Sequence, residues 1–160
     1  MIGSLRAVIV KRPEQAFRGP GAIEAEWKEL GWTRPPKLEI AVKQHRQLVT
    51  LLESAGAQIY YLPEDSRTNI DSIYVHDPVL ITDAGAVMLQ TGKIARRGEG
   101  PAMEDALNSW GVPILGAIEG GATAEAGDMV WLDSRTLVVG RGFRTNQAGI
   151  DWLSLLLQPL

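Results

Sequence analysis

The stretch VLITDAGAVMLQ (residues 79–90), followed by PAMEDALNSWGVPILGA (residues 101–117), carries the plan of the chain. Residues 79–82 and 86–90 are short apolar runs split by Asp83-Ala84-Gly85, which reads as a hairpin turn. Pro101 opens a helical stretch that reaches Trp110, and Gly111 stops it. Proline suits the first turn of a helix, and glycine suits the position just past its end. Residues 112–117 then read as a strand. The order is strand, strand, helix, glycine, strand.

Outward from this stretch the order recurs. Downstream, residues 129–132 and 136–140 are apolar runs around Asp133-Ser134, and a helix is expected over about 146–157. Upstream, residues 5–10 read as a strand. Leu38, Val42, His45, Val49 and Leu52 recur at helical spacing, Gly56 follows as a stop, and residues 57–62 read as a strand. The stop glycines Gly56 and Gly111 stand 55 residues apart, and a third would fall near position 166. Periods of this size indicate a repeat in which each unit buries its face against its neighbours. The third unit reaches its helix without the strand that closes the others, so the layout reads as incomplete. The segment 16–36 is rich in Gly and Pro and carries Trp27 and Trp32. It reads as a long loop with one helical turn near 24–30, either a lid or an irregular packed segment.

Composition narrows the classes. A chain of 160 residues, 45% hydrophobic and 22% charged, suits a single globular domain of 1–160. A net charge of −3 gives no electrostatic reason for a nucleic-acid or anionic-membrane partner. With no cysteine, these residues form no disulfide, zinc-thiolate site or iron–sulfur cluster. Neither a leader-like N-terminus nor an apolar run of membrane-spanning length is seen, and the expected location is cytoplasmic.

Acids and arginines alternate along the second half. Asp71 and Asp77 flank Ile73-Tyr74-Val75, and six residues apart on a strand they would share a face. Two carboxylates on one face can grip a guanidinium through charge-assisted hydrogen bonds; the same spacing also suits two solvated acids. Arg96-Arg97-Gly98-Glu99 offers guanidinium forks for a carboxylate, or a charged turn in which Glu99 pairs with an arginine. Glu125 and Asp128 surround Gly127, where a glutamate can orient an imidazole or simply serve as a turn acid. Arg144-Thr145-Asn146 opens the last helix, with Thr145 or Asn146 as its cap. The two histidines carry less: His45 lies on a helical apolar stripe, and His76 has no nucleophile near it in sequence. No phosphate-cradling loop, metal triad or serine elbow is present, so no metal and no cofactor is expected.

Taken in order, Asp71-Ser-Ile-Tyr-Val-His-Asp77, Arg96-Arg97-Gly98-Glu99, Glu125-Ala-Gly-Asp128 and Leu137-Val-Val-Gly140 leading to Arg144-Thr145-Asn146 resemble the guanidino-group-modifying superfamily. Its members include dimethylarginine dimethylaminohydrolases, arginine deiminases and amidinotransferases, and the likeness is nearest to the first. It covers roughly positions 68–150. The resemblance implies an α/β propeller, the pentein fold, of five ββαβ modules. Three of them would lie here, at about 1–62, 63–118 and 119–160. It also implies that a cysteine attacks the guanidinium carbon, an amine leaves, a thiouronium forms, and water releases citrulline while a histidine shuttles protons. Asp71 and Asp77 would hold the guanidinium nitrogens. Arg96, with Arg97 as second choice, and Arg144 would bind the substrate's α-carboxylate, and Glu125 would orient the catalytic histidine. His76 stands where the methylarginine enzymes carry an acid, and Ala126 replaces a glycine. The family's cysteine and histidine have no counterpart in this sequence.

The expectation is the N-terminal three-fifths of a dimethylargininase-like hydrolase of arginine metabolism, inactive alone. Its partners would be a small guanidino substrate and further copies of itself. The rival readings are an amidinotransferase, an arginine deiminase, and a non-catalytic module that binds arginine-like ligands.

Overall fold

The first strand, β1 (Ala7–Val10), lies parallel to β2 (Gln58–Tyr61), in register from Ala7 opposite Gln58 to Val10 opposite Tyr61. Parallel neighbours need a crossover, and the helices between them supply it: α1 (Pro13–Phe17), α2 (Pro20–Glu26) and α3 (Leu38–Ser54). This is a computed structural model describing residues 3–158. The chain divides after Val75 into two units, Ser4–Val75 and the part from His76 onward.

In the first unit, α3 buries the stripe expected of it. Val49 is buried, and Leu38, Val42, His45 and Leu52 are half-buried. Gly56 adopts φ +85° and the Ala57 N–H reaches back to the Leu52 carbonyl at 3.0 Å, which closes the helix end. The segment 16–36 departs from the loop expected there. Most of its first half is α1 and α2, separated by Arg18 at φ +54° and Gly19 at φ +103°. Pro13 and Pro20 each occupy a first helical turn, where a missing N–H costs nothing. Ala16, Phe17, Ile23 and Leu30 form a core with Ile70, against which Trp27 and Trp32 pack. A second correction concerns residues 71–77, which form no strand. Residues Ile70–Ile73 make a 3₁₀ helix in which the Asn69 side chain caps the Asp71 N–H, and a turn follows to Pro78.

From His76 onward the expected plan holds. β3 (Val79–Ile81) and β4 (Ala86–Met88) form an antiparallel hairpin, and β5 (Ile114–Ala117) lies parallel to β4 on its far side. The crossover between β4 and β5 includes α4 (Glu99–Ser109), which starts two residues before Pro101. β6 (Met129–Trp131) and β7 (Leu137–Val139) form a second antiparallel hairpin, and α5 (Gln147–Leu157) follows, capped by Asn146. The core joins Leu80, Val87, Leu89, Ile118 and Leu153 to three alanines, Ala122, Ala124 and Ala126. Those small side chains let the segment leading to Glu125 run close to the sheet. Among the described residues, no helix is long and apolar enough to cross a membrane.

Candidate functional site

Arg96 ends a 3₁₀ helix, Ile94–Arg96, and Glu99 is the first residue of α4. The two side chains meet fork to fork: Arg96 Nε donates to Glu99 Oε1 at 2.8 Å and Nη2 to Oε2 at 2.7 Å. A third donor, Arg96 Nη1, reaches Asp77 Oδ2 at 2.8 Å. Arg96 and Glu99 are each only 4% exposed. Burial works against the charge on Arg96, and the Glu99 and then the Asp77 carboxylates overcome it, holding the guanidinium above its ordinary pKa. Arg97 is exposed. A solvated charged turn is therefore not what this string forms. It is a buried ion triad in which Glu99 takes the arginine next to it, the pairing that the sequence left open.

Asp77 lies in the turn before β3 and is partly exposed. Its main-chain carbonyl accepts the Ala126 N–H at 3.1 Å. Its Oδ1 lies so near Gly127 that a Cβ there would sit 2.8 Å away. The neighbouring His76 has Nε2 at 3.1 Å from the Ala126 carbonyl, which can only accept, so this ring nitrogen carries the hydrogen. The loop with Glu125 and the turn with Asp77 are thus packed together.

Glu125 is 6% exposed. Its Oε1 accepts the Gly92 N–H at 3.1 Å and Arg144 Nη1 at 3.0 Å. Its own N–H donates to Thr145 Oγ1 at 3.1 Å, and that hydroxyl donates to Asp128 Oδ2 at 2.7 Å. Two features fix Arg144. Asn146 caps α5 by accepting the Gly149 N–H at 2.8 Å, and the same oxygen accepts the Thr123 N–H at 3.1 Å. Gly92 packs on the Arg144 backbone so closely that a Cβ would lie 2.8 Å from its Cα. Unlike Arg96, the Arg144 side chain is 42% exposed.

Asp71, the remaining candidate, belongs to the first unit. It is 4% exposed, and its Oδ1 accepts the Trp32 indole N–H at 2.7 Å. Its strand-face relation to Asp77 does not arise, since neither residue is in a strand. Asp77, Arg96, Glu125 and Arg144 are brought together within the second unit. Sequence reasoning missed Gly92 and Trp32, and it read Thr145 only as a possible cap. No periodicity marks Gly92, and a tryptophan in a Gly/Pro-rich segment gives no sign of a bond to an aspartate 39 positions away. Chemically, the second unit presents carboxylates that hold guanidinium groups, with one arginine open to solvent. Among the described residues no cluster of His, Asp or Glu is arranged to hold a metal ion.

No protein-family signature matches the sequence. Over 123 residues, 77% of the chain, it is 31% identical to N(G),N(G)-dimethylarginine dimethylaminohydrolase of Pseudomonas aeruginosa. Over 90 residues it is 34% identical to the protein of that name from Streptomyces coelicolor. The chain spans 48% of the first relative and 34% of the second, half their length or less. Its fold matches the Pseudomonas aeruginosa enzyme in a cysteine-to-serine variant complexed with citrulline, with a TM-score of 0.80 at 26% identity, over 98% of this chain and 58% of that one. The N-terminal domain of an arginine dihydrolase from the cyanobacterial ornithine–ammonia cycle, bound to substrate, matches with a TM-score of 0.76 at 19% identity, over 94% of this chain and 54% of that one, a likeness of fold alone.

Proposed function

We propose, from the premise that the chain belongs to the guanidino-group-modifying superfamily, that it carries the substrate-gripping part of a guanidino hydrolase. The substrate is arginine or a methylated arginine, and the products are citrulline and an amine. The observation that carries this reading is that Asp77 and Glu125 each hold an arginine guanidinium of the chain itself, at 2.8 and 3.0 Å. A carboxylate placed like that of Asp77 suits the guanidinium end of a free ligand, and one placed like that of Glu125 suits another cation, an imidazolium.

In this reading Asp71 and Asp77 take the guanidinium nitrogens, and Arg144 takes the α-carboxylate. Arg96, which the family resemblance also assigns to the α-carboxylate, braces the Asp77 carboxylate. Gripping both ends orients the ligand, and orientation lowers the barrier to attack. Carboxylates against the nitrogens also keep the guanidinium charged, so its carbon stays electrophilic. The 160 residues contain no cysteine. Neither His45 nor His76 matches the family's catalytic histidine, so the thiolate that adds to that carbon and the Glu125-oriented histidine that protonates the leaving amine are residues outside this sequence. Water then adds to the thiouronium carbon, and the thiolate leaves as citrulline forms. The ββαβ run of β3, β4, α4 and β5 is one propeller module of the five, and β6, β7 and α5 belong to the next.

Calorimetric titration of the 160-residue chain with L-arginine, asymmetric dimethylarginine and citrulline tests the proposal. Binding is expected, weakened by Asp77→Asn and by Arg144→Ala, with no citrulline released. Absence of binding to all three ligands at millimolar concentration would sink it. Acceptor competition in an active, cysteine-bearing form separates hydrolysis from amidino transfer.

A further inference from the structure

We propose that Trp32 is a positioning residue for Asp71, and that the segment 16–36 is the clamp that aims it; the inference rests on Asp71 as a ligand carboxylate. Trp32 Nε1 donates to Asp71 Oδ1 at 2.7 Å. An indole N–H is a donor only, so the bond fixes one carboxylate oxygen and with it the rotamer and plane of the group. The donor is itself fixed. The indole meets Phe17 edge-on, with centroids 6.0 Å apart at 85°, and lies over Tyr74 at 5.9 Å and 33°. The Trp32 N–H bonds the Trp27 carbonyl at 2.9 Å.

A second strut runs to the same 3₁₀ helix. Glu26, at the end of α2, accepts the Ile70 N–H at 2.9 Å through Oε2 while Oε1 pairs with Arg18. Asn69 Oδ1 caps the Asp71 N–H at 2.9 Å. One segment thus holds the backbone of Ile70 and the side chain of Asp71, and its apolar residues Phe17, Ile23 and Leu30 share a core with Ile70. A group that grips a ligand needs a supporting shell that locks its rotamer, because loss of aim of about 1 Å weakens the grip. The segment supplies that shell.

Trp32→Phe keeps an aromatic ring against Phe17 and Tyr74 and removes the donor. The expected result is a chain that still unfolds cooperatively, with L-arginine affinity lower by about tenfold, the scale of a hydrogen bond to a charged group. In an Asp71→Asn background the same substitution should cost much less. The indole ¹H–¹⁵N resonance of Trp32, one of five tryptophans, should shift on Asp71→Asn and again on saturation with L-arginine. Unchanged affinity in Trp32→Phe, an equal loss in the Asp71→Asn background, or an indole resonance unmoved by either perturbation overturns the proposal. The resonance test uses the native tryptophan, so it stands even if Trp32→Phe fails to fold. If the unaltered chain binds no L-arginine, the reading beneath fails first, before any variant is compared.

Discussion

Arg96 and Arg144 are both paired with acids, and their surroundings give them different weight. Arg96 is buried with Glu99 and braced by Asp77. Arg96→Met leaves the Glu99 carboxylate buried without its cation, and breaking such a pair costs about 3–5 kcal/mol. Urea unfolding should show that loss. Arg144 is 42% exposed, and the buried Glu125 also accepts the Gly92 N–H, so Arg144→Ala should cost less stability than Arg96→Met while lowering ligand affinity. Acid stability has a separate local source. Arg67 holds Asp65 at a pKa of about 2, below its ordinary 3.8, chiefly through side-chain hydrogen bonds of 2.6 and 2.9 Å. A carboxyl lowered in the folded state stabilises above its unfolded pKa, and that contribution is lost as pH falls from about 4 through 2. Asp65→Asn should flatten this part of the stability–pH curve. The amount is modest because Arg67 is 43% exposed. The Arg96–Glu99 pairing was legible as an option because the partners are three apart. The Trp32–Asp71 bond was not, because only tertiary packing brings them together.

The helices and hairpins were legible where a periodic run met its punctuation. Asp83-Ala84-Gly85 turns β3 into β4, and a Cβ on Gly85 would lie 2.4 Å from the Pro113 carbonyl oxygen, so that glycine serves packing as well as the turn. Illegibility had two causes. The Gly and Pro content of 16–36 reads as a loop, although Pro20, like Pro13 before that segment, opens a helix too short to show a period. Asp71 to Asp77 alternates like a strand, yet the Asn69 cap and Pro78 bend it into a 3₁₀ helix and a turn. Among the described glycines the closest approach is at Gly149 in α5, where a Cβ would lie 2.0 Å from the Thr123 carbonyl oxygen. Alanine normally favours a helix, so Gly149→Ala should reverse that expectation and destabilise by about 2 kcal/mol or more through overpacking. Thermal unfolding followed by far-ultraviolet circular dichroism would check the sign.

Across the second unit, apolar surface remains open. β6 and β7 form a two-stranded sheet on which Val130 is 55% and Val138 44% exposed, and Leu132 and Phe143 stand further out. Unpaired edges and apolar patches seek partners. The 160-residue chain should therefore self-associate in the micromolar range by light scattering, and Val130→Lys with Val138→Lys should return it toward the mass of one chain. A single-chain mass for the unaltered protein across that range would count against the expectation.

The internal grip of Asp77 on Arg96, and of Glu125 on Arg144, also bears on how the protein is handled. Guanidinium chloride supplies the free ion that those carboxylates already hold. At low concentration it should compete for those carboxylates and weaken the internal pairs before it acts as a denaturant. A stability extrapolated from guanidinium should then fall below one extrapolated from urea, and on the proposed function arginine used as a purification additive would bind at those same carboxylates.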